Sequence, residues 1–155
     1  MKETELLELY DQYSNMVYRI ALSYLRQSHD AEDVVQSVFM KLIEGNAQPN
    51  EGKERAFLTQ IAVNHCKDIL RSGWKQRIVP LDDTIKFEQE EYSELFHTVM
   101  ALPDKLRIVV HLHYYEGYNF SEIASFLKIG TSAVSMRIFR AKKVLKDKLI
   151  GGLLP

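Results

Sequence analysis

Apolar residues recur every three or four positions through nearly every uninterrupted stretch of this chain, and that period limits its fold more than any other feature. Leu6, Leu9/Tyr10, Tyr13, Val17, Ile20 and Tyr24 lay one stripe along residues 3–26. Spacings of three and four return to the same side of an α-helix, whereas a half-buried strand needs alternation. Ala31, Val34/Val35, Val38/Phe39 and Leu42/Ile43 continue the pattern. Ser28 reads as the N-cap of that second helix, with Asp30 and Glu32 in its first turn, where the helix dipole favours acids. The segment "EGNAQPNEG" (44–52) gathers Gly, Asn and Pro and predicts a loop. A third helix is expected over 54–71, with Phe57, Ile61/Ala62, His65 and Ile69 on its inner face. Three helices of these lengths can close a small bundle.

The period breaks in "SGWKQRIVPLDDTIKFEQE", where Ser72-Gly73 ends a helix and Pro80 with Asp82-Asp83 marks a polar connector. A linker is therefore expected over 72–89, with room for no more than a short strand at 77–81. Four shorter helices follow. Tyr92, Leu95/Phe96 and Val99 mark the first; Pro103 suits the opening turn of the second, which Leu106, Val109/Val110 and His113 carry to Gly117. Asn119 and Glu122 have capping-box spacing for a third. A fourth starts near Thr131 or Ser132 and runs to about Leu149. The fold class is thus all-α: two small helical domains, residues 1–71 and 90–155, joined by the linker.

Composition narrows what such a chain does. The 155 residues are 46% hydrophobic and 26% charged, enough for a packed core in a chain that is not disordered. No apolar run approaches the roughly 18 residues of a membrane span. The opening "MKETELLELYDQ" has no signal-peptide core, and the lone Cys66 allows no intrachain disulfide, so a cytoplasmic protein is expected. Net charge is only −1, but its distribution is uneven. Residues 53–77 hold six Lys/Arg against two acids, and residues 128–148 hold seven against one. The linker region runs the other way, with six acids against Lys86 over 82–94, and residues 30–44 are acidic too. Two basic segments separated by acidic ones point to two anionic contacts.

Catalytic patterns are missing from the sequence. His111 and His113, two apart on a helix, point to different faces and cannot share a metal. Cys66 has no CxxC companion, and neither a glycine-rich phosphate loop nor a nucleophile elbow occurs. No enzyme, metal or cofactor is expected.

The segment "FSEIASFLKIGTSAVSMRIFRAKK" (120–143) places a short helix, a tight turn and a basic helix in succession. That order is a helix-turn-helix, whose second helix enters the major groove. Val134, Ile138, Ala141 and Leu145 form its inner stripe; Ser135, Met136, Phe139, Arg140 and Lys143 face away. Ala124 suits a close approach of the two helices. Arg140 could reach a phosphate or a guanine edge, and Met136 or Phe139 a thymine methyl. A solvated bundle edge gives the same amphipathic pattern, but packing does not explain the excess of positive charge.

Read in order, four segments resemble the extracytoplasmic-function group of bacterial sigma factors. They are "DAEDVVQSVFMKLIE" (30–44), "AFLTQIAVNHCKDILR" (56–71), "LPDKLRIVVHLHYYEGYNFSEIASFL" (102–127) and "AVSMRIFRAKK" (133–143). The resemblance implies a protein that binds core RNA polymerase, recognises the minus-ten and minus-thirty-five promoter elements and promotes strand opening, in a stress or envelope response. It assigns Asp33, Gln36, Ser37, Phe39 and Lys41 to core polymerase, whose clamp helices and flap are the implied docking sites. It assigns the 46–54 loop with Lys53, Arg55, Phe57, Asn64, Lys67 and Arg71 to minus-ten DNA. Thr131, Ser132, Ser135, Met136, Phe139, Arg140 and Lys143 fall to minus-thirty-five DNA. An anti-sigma factor is a further implied partner, and membrane insertion is not expected.

The residues leave several of these assignments open. Asp33, Gln36 and Ser37 lie off the Val34/Val38 stripe, as a docking face or a solvated face would. Phe39 fits either the contact or the core. Asp68 pairs within its helix with Arg71 or Lys67, or stands beside them on a nucleic-acid face. The acidic linker suits a positively charged channel and a flexible tether equally. The chain also departs from the family pattern. Phe57 stands where a Trp is frequent, Ser135 where a basic residue is, and Met136 where a Ser is. Lys128 occupies the usual turn glycine, with Gly130 two residues on. A stand-alone helix-turn-helix regulator with a sensing N-terminal domain is the alternative function.

Overall fold

The fold was analysed in a computed structural model, which describes residues 2–45, 48–72 and 96–153. The described residues are helical, without a strand. The chain divides into two compact units, residues 1–82 and 83–155.

The first unit is a three-helix bundle. Helix α1 (Glu3–Leu25) opens with Glu3 and Glu5 in its first turn and ends where Arg26 turns left-handed at φ 66°, its N–H bonding the Leu22 carbonyl. Burial concentrates in the second half of α1, at Met16, Val17, Ile20, Ala21, Leu22, Tyr24 and Leu25. Helix α2 (Ser28–Ile43) buries Ala31, Val34, Val35, Val38, Phe39 and Leu42. Ser28 is already inside this helix: Gln27 holds the N-cap position, and no side chain caps it there. Helix α3 (Glu54–Arg71) packs on both α1 and α2. Ile20, Leu25 and Leu58 are fully buried in this unit, each contributing about 1.5–3 kcal/mol by leaving water.

The inner face of α3 is rotated from the expected stripe. Leu58, Thr59, Ala62, Val63 and Cys66 are buried, whereas Phe57, Ile61, His65 and Ile69 are only half-buried. Small Ala62 and Cys66 let the helices approach closely. Thr59, polar by composition, is satisfied by donating from Oγ1 to the Arg55 carbonyl at 2.9 Å, with Met16 Sδ at 3.7 Å.

In the second unit, residues 96–100 form a helical turn before α4 (Asp104–Val110). Pro103 sits one residue before α4, at its N-cap, rather than in the first turn. Arg107 is almost wholly buried; Nη1 donates to the Leu102 carbonyl at 3.0 Å and Nη2 to Asp104 Oδ1 at 2.8 Å. The helix then widens into a π turn, His111–Tyr115, closed by the Glu116 N–H on the His111 carbonyl. Gly117, at φ +79°, takes a left-handed conformation that suits glycine. Helix α5 (Phe120–Leu127) begins at the expected capping box. Asn119 Oδ1 accepts the Glu122 N–H at 2.8 Å, and Glu122 Oε1 accepts the Asn119 N–H at 3.0 Å. Helix α6 (Thr131–Leu153) packs on α4 and α5, burying Val134, Ile138 and Ala141, with Leu145 half-buried beyond them. Val99, Leu102, Val110 and Ala141 form a core cluster, flanked by Leu106, Val144 and Leu145.

The expected linker lies outside the described residues apart from Ser72, as do the strand at 77–81 and the helix-starting residues Tyr92 and Leu95.

Candidate polymerase and nucleic-acid interfaces

Helix α6 presents one continuous outer face. Thr131, Ser132, Ser135, Met136, Phe139, Arg140 and Lys143 are all exposed, opposite the buried Val134–Ile138–Ala141 stripe. Met136 is 51% and Phe139 66% exposed, unusual for side chains of that size. The turn before α6 is a helix-turn-helix turn built without glycine at its left-handed position. Lys128 itself adopts φ 58°, ψ 45°, and its N–H bonds the Ala124 carbonyl. Ile129 donates to the same carbonyl at 3.1 Å. The departure at this position therefore stores strain of about 1–2 kcal/mol and leaves the cap geometry intact. Gly130 carries no positive φ; its carbonyl accepts the Ala133 and Val134 N–H groups that start α6.

The outer face of α2 has a different chemistry. Asp33 and Gln36 are exposed and Ser37 is half-buried; Asp33 lies 3.8 Å from His29. Phe39 is core: it is 5% exposed, with its ring edge-on to Tyr10 at 5.1 Å. It shapes the face from beneath and does not present itself. Lys41, half-buried, lies on the flank toward α3, near enough to His65 to repel its proton. Sequence reasoning missed Met40 here and set Ile43 on the buried stripe, where the structure does not place it. Met40 (52% exposed) and Ile43 (62%) follow Asp33 and Gln36 at spacings of four and three, on the polar side of the wheel. A helical-wheel count would have found them. A hollow lined by Tyr10, Ser14, Asn15, Tyr18, Glu32, Val35 and Gln36 adjoins this face.

Helix α3 brings most of its assigned residues together. Lys53, Phe57, Asn64, Lys67 and Arg71 succeed one another by four, seven, three and four, so one stripe holds them. Asn64 accepts from Gln60 Nε2 at 2.9 Å, and Arg71 pairs with Asp68 at 3.5 Å, both well exposed. Asp68 is thus an intrahelical partner of Arg71. Arg55 does not join the stripe: it is half-buried and lies on the side of Leu58 and Ala62. Before α3, Asn50 accepts from the Lys53 N–H at 3.0 Å and Gly52 donates to Glu54 Oε1 at 3.0 Å. Asn46 and Ala47 of this loop lie outside the described residues. The hollow beside the loop is lined by Glu5, Glu8, Glu51 and Glu54 with Tyr13 and Pro49. Four carboxylates repel a phosphate, so any nucleic-acid backbone here must follow the α3 stripe.

Two family patterns match the chain in this order. Sigma-70 region 2 matches residues 9–76, and Sigma-70 region 4 matches residues 99–147. The ECF RNA polymerase sigma factor SigM of Bacillus subtilis (strain 168) is 30% identical over 150 residues, spanning 90% of this chain and 91% of that protein. The chain is a sigma factor of the sigma-70 family, extracytoplasmic-function group. The RNA polymerase sigma factor SigV of the same strain is 28% identical, over 85% of this chain and 83% of the relative. In fold, this sigma factor is similar to the sigma factor RpoE from Bartonella quintana, solved in complex with the anti-sigma factor NepR. The TM-score is 0.69 at 18% identity, covering 95% of each chain.

Two histidines of the sigma factor away from these faces have structural partners. His111 Nε2–H donates to the buried Glu116 carboxylate at 2.6 Å, and His113 Nδ1–H to the Tyr118 carbonyl at 2.8 Å. The two imidazoles serve different neighbours, as their spacing requires. Burial pushes the Cys66 thiol well up, which keeps it protonated. Among the described residues no cluster of His, Cys, Asp and Glu could hold a metal ion, and no helix is long and apolar enough to cross a membrane. The sigma-70 family is not an enzyme class.

Proposed function

We propose that the sigma factor divides its work among three faces. The α2 face (Asp33, Gln36, Ser37, with Met40 and Ile43 added and Phe39 beneath) docks on the clamp helices of core polymerase. Lys53, Phe57, Asn64, Lys67 and Arg71 of α3, with the loop before them, hold the melted minus-ten strand. The α6 face (Thr131, Ser132, Ser135, Met136, Phe139, Arg140, Lys143) reads the minus-thirty-five element, and the same unit contacts the polymerase flap. The observation that carries this reading is the exposed α6 face, cationic and apolar at once, above a fully buried stripe. Domain limits of 1–71 and 90–155 with a linker at 72–89 accord with the compact units, whose division between Asp82 and Asp83 falls inside that linker.

The protein works in the cytoplasm, without catalysis of its own and without a cofactor, in a stress or envelope response. An anti-sigma factor holds it inactive; the likeness in fold to a sigma factor solved with its anti-sigma factor supports that partner. Duplex promoter DNA, shifted on a gel with and without core polymerase, tests the division. Specific binding is expected only with core present. Tight specific binding by the chain alone would instead identify a stand-alone helix-turn-helix regulator.

A further inference from the structure

The α6 face is not uniform. Phe120, the first residue of α5, closes a shallow hollow with Thr131, Ser132, Ser135, Met136 and Phe139. Three hydroxyls and three large apolar side chains line it, and no charged side chain does. Phe120 is set from outside the recognition helix. Its ring centroid lies 4.9 Å from that of His113, and His113 is tied to the Tyr118 carbonyl at 2.8 Å. The π turn therefore fixes one wall of the hollow while α6 supplies the rest.

Charge and hollow have separate tasks. Arg140, Lys142 and Lys143 are exposed on the same helix and draw the phosphate backbone toward it. The hollow has no cation to hold a phosphate or to fork onto a guanine edge. In the major groove the one apolar feature is the C5-methyl of thymine, and hydroxyls bond either base edge. We propose that this hollow seats a thymine methyl of the minus-thirty-five element, with Phe120 a specificity-determining residue outside the recognition helix. The proposal rests on the assignment of α6 to that element. It also gives a physical meaning to Ser135 and Met136: where a basic residue and a serine are frequent, this chain exchanges charge-based contact for methyl contact.

The test uses holoenzyme, reconstituted from the full chain and core polymerase, on a promoter found by transcript mapping. Each thymine upstream is replaced by uracil, which lacks only the methyl. One position is expected to lose about fourfold in open-complex formation, the worth of one buried methyl. Phe120→Ala and Met136→Ala should weaken the thymine template by a similar factor and abolish the thymine–uracil difference. Equal initiation on thymine and uracil at every position would overturn the proposal, as would variants that keep the wild-type ratio. If base-pair changes across the whole upstream element leave initiation unchanged, the assignment of α6 fails and the hollow's role falls with it. Sensitivity to base-pair changes without sensitivity to uracil overturns the hollow alone.

Discussion

Helices α2 and α6 are both amphipathic, both bury a clean stripe, and among the described side chains both leave two large apolar ones in water. On α2 these are Met40 and Ile43, among Asp33 and Gln36; on α6 they are Met136 and Phe139, among Arg140 and Lys143. The apolar content is alike and the sign of the charge is opposite. An acidic rim repels phosphate and tolerates a protein surface, whereas a basic rim attracts nucleic acid at long range. The partner class of each face is thus set by its rim, and the exposed apolar pair supplies short-range fit.

The largest expected effect removes one face while sparing the other. Glu116 is buried against His111 in the π turn, and taking a hydrogen-bond partner from a buried polar group costs about 1–3 kcal/mol. His111→Leu should therefore lower the melting temperature of the 83–155 unit by at least about 4 °C and leave the first unit's transition in place. Two separate transitions in calorimetry would show this. A single shared shift would mean that the faces are not energetically independent.

Next come the faces themselves. Arg140→Ala should reduce initiation at a mapped promoter roughly tenfold or more with core affinity unchanged. Met40→Ser combined with Ile43→Ser should lower core affinity roughly tenfold and leave the upstream-element preference unaltered. Filter binding and transcription from the same preparations separate the two. If both variants failed in the same assay, the rim argument would be wrong.

How far these faces were visible in sequence follows from what periodicity encodes. The stripe Val134–Ile138–Ala141 and the Asn119/Glu122 box are local patterns, and they form as their spacing requires. The limits of α3 were equally legible, but its rotation was not. Apolar residues fill 56, 57, 58, 61, 62, 63, 66, 69 and 70, a stripe so wide that its centre depends on what α1 and α2 press against it. "HLHYY" carries helical composition, so nothing in its period signals the i→i+5 bond that turns it into a π turn. Met40 and Ile43 look like the end of an apolar helix until their spacing from Asp33 and Gln36 is counted around the wheel. Of the α3 assignments, Arg55 was grouped by type and not by angle, and angle decides.

Lys128 gives a smaller effect. A non-glycine side chain at φ 58° costs about 1–2 kcal/mol, so Lys128→Gly should raise the melting temperature of the 83–155 unit by at least about 4 °C. A promoter preference that stayed the same would show that the turn already has the shape glycine would give it. An altered preference would show that Lys128 itself belongs to the basic rim.

The smallest expected effect concerns Lys41, placed on the polymerase face by sequence and beside His65 by structure. The pKa of His65 lies below the ordinary 6.5, first because burial disfavours the imidazolium, then because the Lys41 ammonium repels it; Asp68 pulls the other way. With the folded pKa lowered, the unfolded chain takes up the proton first as pH falls. The stabilising contribution is thus complete above about 6.5 and is lost as pH drops toward the folded value. His65→Gln should flatten that acid slope in a series of thermal melts. Lys41→Met should raise the midpoint of the His65 ring-proton titration and narrow the pH window over which stability declines. An unmoved midpoint would mean that the ammonium points away from His65 and is available to the polymerase. A raised one would withdraw Lys41 from the α2 docking face and leave that face to Asp33, Gln36, Ser37, Met40 and Ile43.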